Sequence, residues 1–123
     1  MTNIIGNEKD LKIFLKRFLF YDGLMDDLNI NYRTGRAALS IVCRDQEDKW
    51  GVLSLYLEGT SLIRIHDTNC AWNVLFHTLR IFPCGDSFLV TLDDESVTEP
   101  DTLKTEGNFV FVAGKISYSF EYQ

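Results

Sequence analysis

The clearest pattern in the chain lies between residues 50 and 66, where Leu53, Leu55 and Leu57 alternate with Ser54, Tyr56 and Glu58. A period of two sends one set of side chains to a buried sheet face and the other toward water, so the stretch predicts a strand. Gly59-Thr60 interrupts the alternation before Leu62, Ile63 and Ile65 resume it, which suits either a hairpin or one strand kinked at Gly59. Upstream, Leu11, Phe14, Leu15 and Phe18 recur at helical spacing behind Asn7, a capping residue type, with Glu8 and Asp10 in the first turn. Together these predict an amphipathic helix over 8–20 that lids the core.

Tyr21-Asp22-Gly23 is turn chemistry and should end that helix. Leu28, Ile30 and Tyr32 then alternate with Asp27, Asn29 and Asn31 as a first strand, residues 33–36 form a hairpin turn, and Ala37, Leu39, Ile41 and Cys43 mark the partner strand. Residues 45–49 are a polar turn. Residues 75–82 read as a strand, with a short helix as the other reading. Pro83-Cys84-Gly85-Asp86 and the alternating Phe88, Val90 and Leu92 complete a hairpin over 75–92. Residues 93–107 show no period and contain Pro100 and Gly107, so they read as a long loop. Phe109 and Phe111, then Ile116, Tyr118, Phe120 and Tyr122, flank Ala113-Gly114-Lys115 as a last hairpin.

The sum is a mainly β (α+β) chain: one N-terminal helix, then about eight antiparallel strands in a meander over 24–122, forming a sandwich or a half-open barrel. Short connections favour antiparallel neighbours, because parallel ones need crossovers of about a dozen residues. A length of 123 residues and 46% apolar content fit one domain over 1–123 with a core of its own. A free edge strand, the C-terminal one as first candidate, offers a route to oligomers.

Charge adds a location. Residues 1–66 hold nine acids and nine bases, so the whole net charge of −6 falls in 67–123, where Asp93, Asp94, Glu95, Glu99, Asp101 and Glu106 face Lys104 alone within 93–107. Such a field repels phosphate backbones and anionic lipid and attracts basic partners, so neither nucleic acid nor a membrane is an expected partner. No apolar run approaches the roughly 20 residues of a membrane-spanning helix. Three cysteines at irregular spacing, Cys43, Cys70 and Cys84, read as free thiols in a reducing cytoplasm.

Candidate chemistry is sparse. His66, Cys70, His77 and Cys84 are zinc-ligand types, yet they lack a CxxC or HxxxH pair, so no metal or cofactor is expected. Nothing local activates Cys70 toward His66 or His77 as a nucleophile pair. Asp22, Asp26 and Asp27 cluster as an acid-base pair would, although turn chemistry accounts for them. Asp93-Asp94-Glu95 lacks the calcium-loop pattern, and no nucleotide-binding or hydrolase motif occurs. Trp50, Tyr56, Trp72 and His77 would line a ligand pocket if the barrel held one, making the protein a small-ligand carrier or an enzyme; as core packing they are ordinary.

Phe20-Tyr21-Asp22-Gly23-Leu24, the alternation 28–32 and the later Leu55-Tyr56-Leu57-Glu58-Gly59 resemble small bacterial immunity proteins of polymorphic toxin systems, with Tyr21 where such relatives often have His. The resemblance implies a non-catalytic protein that binds and blocks a toxin domain. The acidic stretch suits a basic partner of that kind, through Asp93, Asp94, Glu95, Glu99 and Asp101, with Asp45, Glu47 and Asp48 as a second contact edge.

Overall fold

The computed structural model describes residues 2–65, 75–76, 79–92, 99–107 and 109–123. Eight strands and two helices occur among them: β1 (Asn3–Ile5), α1 (Glu8–Arg17), β2 (Phe18–Asn31), β3 (Arg36–Asp45), β4 (Trp50–Ile65), β5 (Leu75–Phe76), β6 (Arg80–Cys84), β7 (Ser87–Thr91), α2 (Pro100–Glu106) and β8 (Phe109–Tyr122). All the strands join one antiparallel sheet in the order β5-β2-β3-β4-β8-β7-β6, with β1 added beside β8.

That order requires curvature. β5 and β6 stand at opposite ends of a row of seven strands, which laid flat would span about 29 Å. Phe76 and Arg80 are nevertheless only four Cα steps apart, a reach of about 14 Å. The sheet therefore curls into a half-barrel, the second of the two expected architectures.

Its concave side is filled by one apolar cluster. Leu39, Ile41, Leu53, Leu55, Leu57, Phe111 and Ile116 are fully buried there, and the predicted alternations of β3 and of the first half of β4 hold residue by residue. Helix α1 lids this cluster through Leu11 and Phe14, the Phe14 ring lying 4.7 Å from Tyr118. Its start is fixed locally: the Asp10 N–H donates to Asn7 Oδ1 at 2.8 Å, and Asp10 Oδ2 accepts from the Gly6 N–H at 3.0 Å. Its end falls at Arg17, three residues short of expectation. Phe18 is extended, and Phe18 and Phe20 enter the core as alternate residues of a strand, a placement that helical spacing also allows for Phe18.

Four further departures have physical reasons. Tyr21-Asp22-Gly23 does not precede the first strand but lies inside it, where the register of β2 on β3 jumps between Leu19 and Leu24. A Cβ on Gly23 would lie 2.8 Å from the Phe20 carbonyl oxygen, so this bulge needs glycine. β4 is one kinked strand, with Gly59 at φ +62 opposite Gly114, and β8 is one strand rather than a hairpin. Buried positions change parity along β8 at the kink, from Phe111 and Ala113 to Ile116 and Tyr118. The expected hairpin over 75–92 is real only for β6 and β7, because Leu75 and Phe76 pair with Leu24 and Gly23 at the other end of the sheet. The C-terminal strand is no edge: β8 is paired by β4 on one side and by β7 and β1 on the other.

Helix α2 occupies what was expected to be loop. Only Leu103 among its residues is buried, so it shows no apolar period, and Pro100 occupies its first turn. It covers the convex face of one end of the sheet, where Leu103 packs with Leu89, Val110 and Val112, and with Leu62 and Phe82 beside them. Residues 110–113 are consequently buried on both faces and read as an unbroken apolar run.

Candidate functional site

Among the acids expected to meet a partner, Glu99 and Asp101 are exposed at the start of α2. Neither carboxylate has an ion pair or a hydrogen bond among the described residues. Two contacts hold the helix beneath them. Leu103 is the apolar anchor, and Arg64 Nη1 donates to the Lys104 carbonyl at 2.9 Å and to that of Gly107 at 3.5 Å, meeting carbonyls that the helix end leaves unpaired. Asp93, Asp94 and Glu95 lie outside the described residues.

In the second acidic edge the structure turns Asp45 inward and leaves Glu47 and Asp48 exposed. Asp45 continues the inward alternation of β3 and is 4% exposed. Its Oδ1 accepts the Glu47 and Lys49 N–H groups at 2.9 and 3.0 Å, and its Oδ2 accepts the Tyr122 hydroxyl at 2.6 Å. The Tyr122 hydrogen bond, followed by the Lys49 N–H, holds the Asp45 carboxyl below its ordinary value. This shelter comes from its own turn and the Tyr122 ring at the rim, not from the middle of the core. Asp48 is bound to Arg44 at 2.6 Å and Glu47 stands 3.4 Å from Lys49, so their charges are locally balanced. Trp50 and Arg64, at the two ends of β4, are separated by about 45 Å of strand, so the Asp45 turn and α2 cannot form one small patch.

Of the four residues expected to line an internal pocket, two are described. Trp50 and Tyr56, 42% and 39% exposed, stand on the convex face, with the Arg44 guanidinium over the Trp50 ring. Trp72 and His77 lie outside the described residues, as do the zinc candidates His66 and Cys70. Cys84 is a half-buried free thiol on β6, and the Cys43 thiol is pushed up to about 12 by burial and then by the Asp45 charge. Asp26 and Asp27 are both exposed on β2; of the Asp22 side chain nothing is described. Among the described residues no three His, Cys, Asp or Glu side chains gather at a metal-sized site, and no helix is long and apolar enough to cross a membrane.

An open depression of about 460 Å³ does exist, on the convex face. Register places Asn29, Ala38, Tyr56 and Ser117 side by side across β2, β3, β4 and β8, and Arg36 and Glu58 line the same hollow. The sequence held a signal for it: these are the outward positions of the strands whose inward alternation is plainest. Polar positions of separate strands reveal a shared hollow only once the register is fixed. No protein-family model, no curated protein and no solved structure matches the chain.

Proposed function

We propose that the protein is a non-catalytic, acidic protein-binding module of the immunity type, holding a basic partner such as a toxin domain through the α2 end of the sheet. The observation that carries the reading is the presentation of Glu99 and Asp101. Both are exposed, and unpaired among the described residues, at the start of a short helix that Leu103 and Arg64 fix to the sheet. A backbone docked in advance lowers the ordering cost of binding, and exposed carboxylates on it keep their field directed outward. Asp93, Asp94 and Glu95 precede them in the chain. In the Asp45 turn Asp48 and Glu47 are paired with Arg44 and Lys49 and Asp45 is turned inward, so the interface is assigned to α2 rather than to both edges. Free thiols at Cys43 and Cys84 fit action in the cytoplasm.

The test is affinity capture of the tagged protein from its native lysate at low salt, followed by kinetics with the partner recovered. In the double variant Glu99→Gln, Asp101→Asn, association should slow about tenfold at low salt and lose much of its salt dependence, with dissociation less affected. Equal association rates for variant and wild type would remove α2 from the interface.

A further inference from the structure

The convex-face depression holds polar groups that the fold leaves unused. Arg36 and Glu58 lie on adjacent strands, one residue beyond the Ala37–Leu57 register pair, and both line the hollow. Opposite charges at that spacing pair readily, and Lys115 also stands across from Glu58 in the register with β8. Yet none of the three side chains makes an ion pair or hydrogen bond among the described residues. Between them and the neighbouring row stands Tyr56, exposed in the middle of the sheet, with Ala38 and Ser117 as its register partners. Those small side chains leave the ring accessible.

We propose that this depression binds a free α-amino acid with an apolar side chain. The ligand's carboxylate meets the Arg36 guanidinium, its ammonium meets the Glu58 carboxylate, and its side chain lies against the Tyr56 ring, with the Asn29 amide at the margin. Charge complementarity selects this class. One cation and one anion line the hollow, so a simple anion or cation satisfies one group and leaves the other facing a ligand of its own sign. A chain terminus of a protein likewise supplies one charge, whereas an α-amino acid carries both within a few ångströms. Guanidinium and carboxylate form the strongest of the available hydrogen bonds, and an aromatic face accepts an apolar group at little entropic cost. The volume falls within the usual range of about 300–1,000 Å³ for small-molecule sites. The site lies apart from α2 and does not rest on the protein-binding reading.

The full chain, isotopically labelled, is titrated by NMR with L-phenylalanine and L-leucine, then with N-acetyl-L-phenylalanine and L-phenylalaninamide. Saturable shifts centred on residues 36–38, 56–58 and 115–117 are expected for the free amino acids. Each capped analogue, lacking one charge, should bind about tenfold more weakly or worse. Glu58→Gln should erase the penalty of the acetyl cap and leave that of the amide, and Arg36→Gln the reverse; both side chains face outward, and circular dichroism checks that each variant folds. The Glu99→Gln, Asp101→Asn variant should bind the amino acids unchanged. No saturable shift with either free amino acid, equal binding of the capped forms, or shifts centred elsewhere would overturn the assignment.

Discussion

The Tyr122 hydroxyl donates a 2.6 Å hydrogen bond to Asp45 Oδ2 across 77 positions of sequence, tying the end of the last strand to the turn between β3 and β4. The same carboxylate organises its own turn through the Glu47 and Lys49 N–H groups, and the Gln123 N–H adds a bond to the Trp50 carbonyl. One buried acid thus closes the rim of the half-barrel.

That bond gives stability a pH signature. Asp45 is held below its ordinary 3.8, chiefly by the Tyr122 hydroxyl, so its contribution is complete above that value and is lost as pH falls through the lower folded pKa. Tyr122 is held above its ordinary 10.0 by the same bond, so its contribution is complete below 10 and is lost as pH rises through the higher folded pKa. Tyr122→Phe should lower the urea midpoint at pH 7 and narrow its gap from wild type both well below pH 3.8 and well above pH 10. A gap that stays constant from acid to alkali would show that the hydrogen bond is not the source of the difference.

Gly51 makes a second demand on the same rim. It sits between Cys43 and Tyr122 in the register, and a Cβ there would lie 2.4 Å from Cζ of Phe120 and 2.6 Å from the Glu121 carbonyl oxygen. The ring can turn aside, but the carbonyl belongs to the paired strand and cannot move without breaking the ladder. Gly51→Ala should therefore cost about 1–3 kcal/mol in urea unfolding, despite the better intrinsic strand preference of alanine. A neutral or stabilising result would mean that the β4–β8 pairing is looser at its end than its register implies.

Much of this was legible in the chain. The alternations at 37–43 and 53–57 and the Asn7 cap describe local physics, and the structure repeats them. Asp45 falls on the inward parity of Ala37, Leu39, Ile41 and Cys43, but a carboxylate in a turn-forming string reads as a turn residue, and its partner lies at the far end of the chain. The β5–β2 pairing was hidden because 75–82 alternates well enough for one strand, and alternation does not say which neighbour a strand takes. The depression at Tyr56 depends on three registers at once, none of them written locally.

Helix α2 was invisible because one buried residue makes no period, and that makes Leu103 a decisive position. In the main core, Leu55→Ala should cost about 2–5 kcal/mol, since the sheet around it cannot collapse onto the cavity. Leu103 differs, because α2 can leave the sheet, and the loss is then capped by what its docking contributes. Leu103→Ala should lower global stability less than Leu55→Ala, yet remove exchange protection from the Leu103 and Gly107 amides, which bond to the Glu99 and Leu103 carbonyls. Protection at Val110 and Phe111 in β8 should persist. If those β8 amides lose protection together with α2, the helix is part of the cooperative core, and Glu99 and Asp101 are presented by the whole domain rather than by a docked appendage.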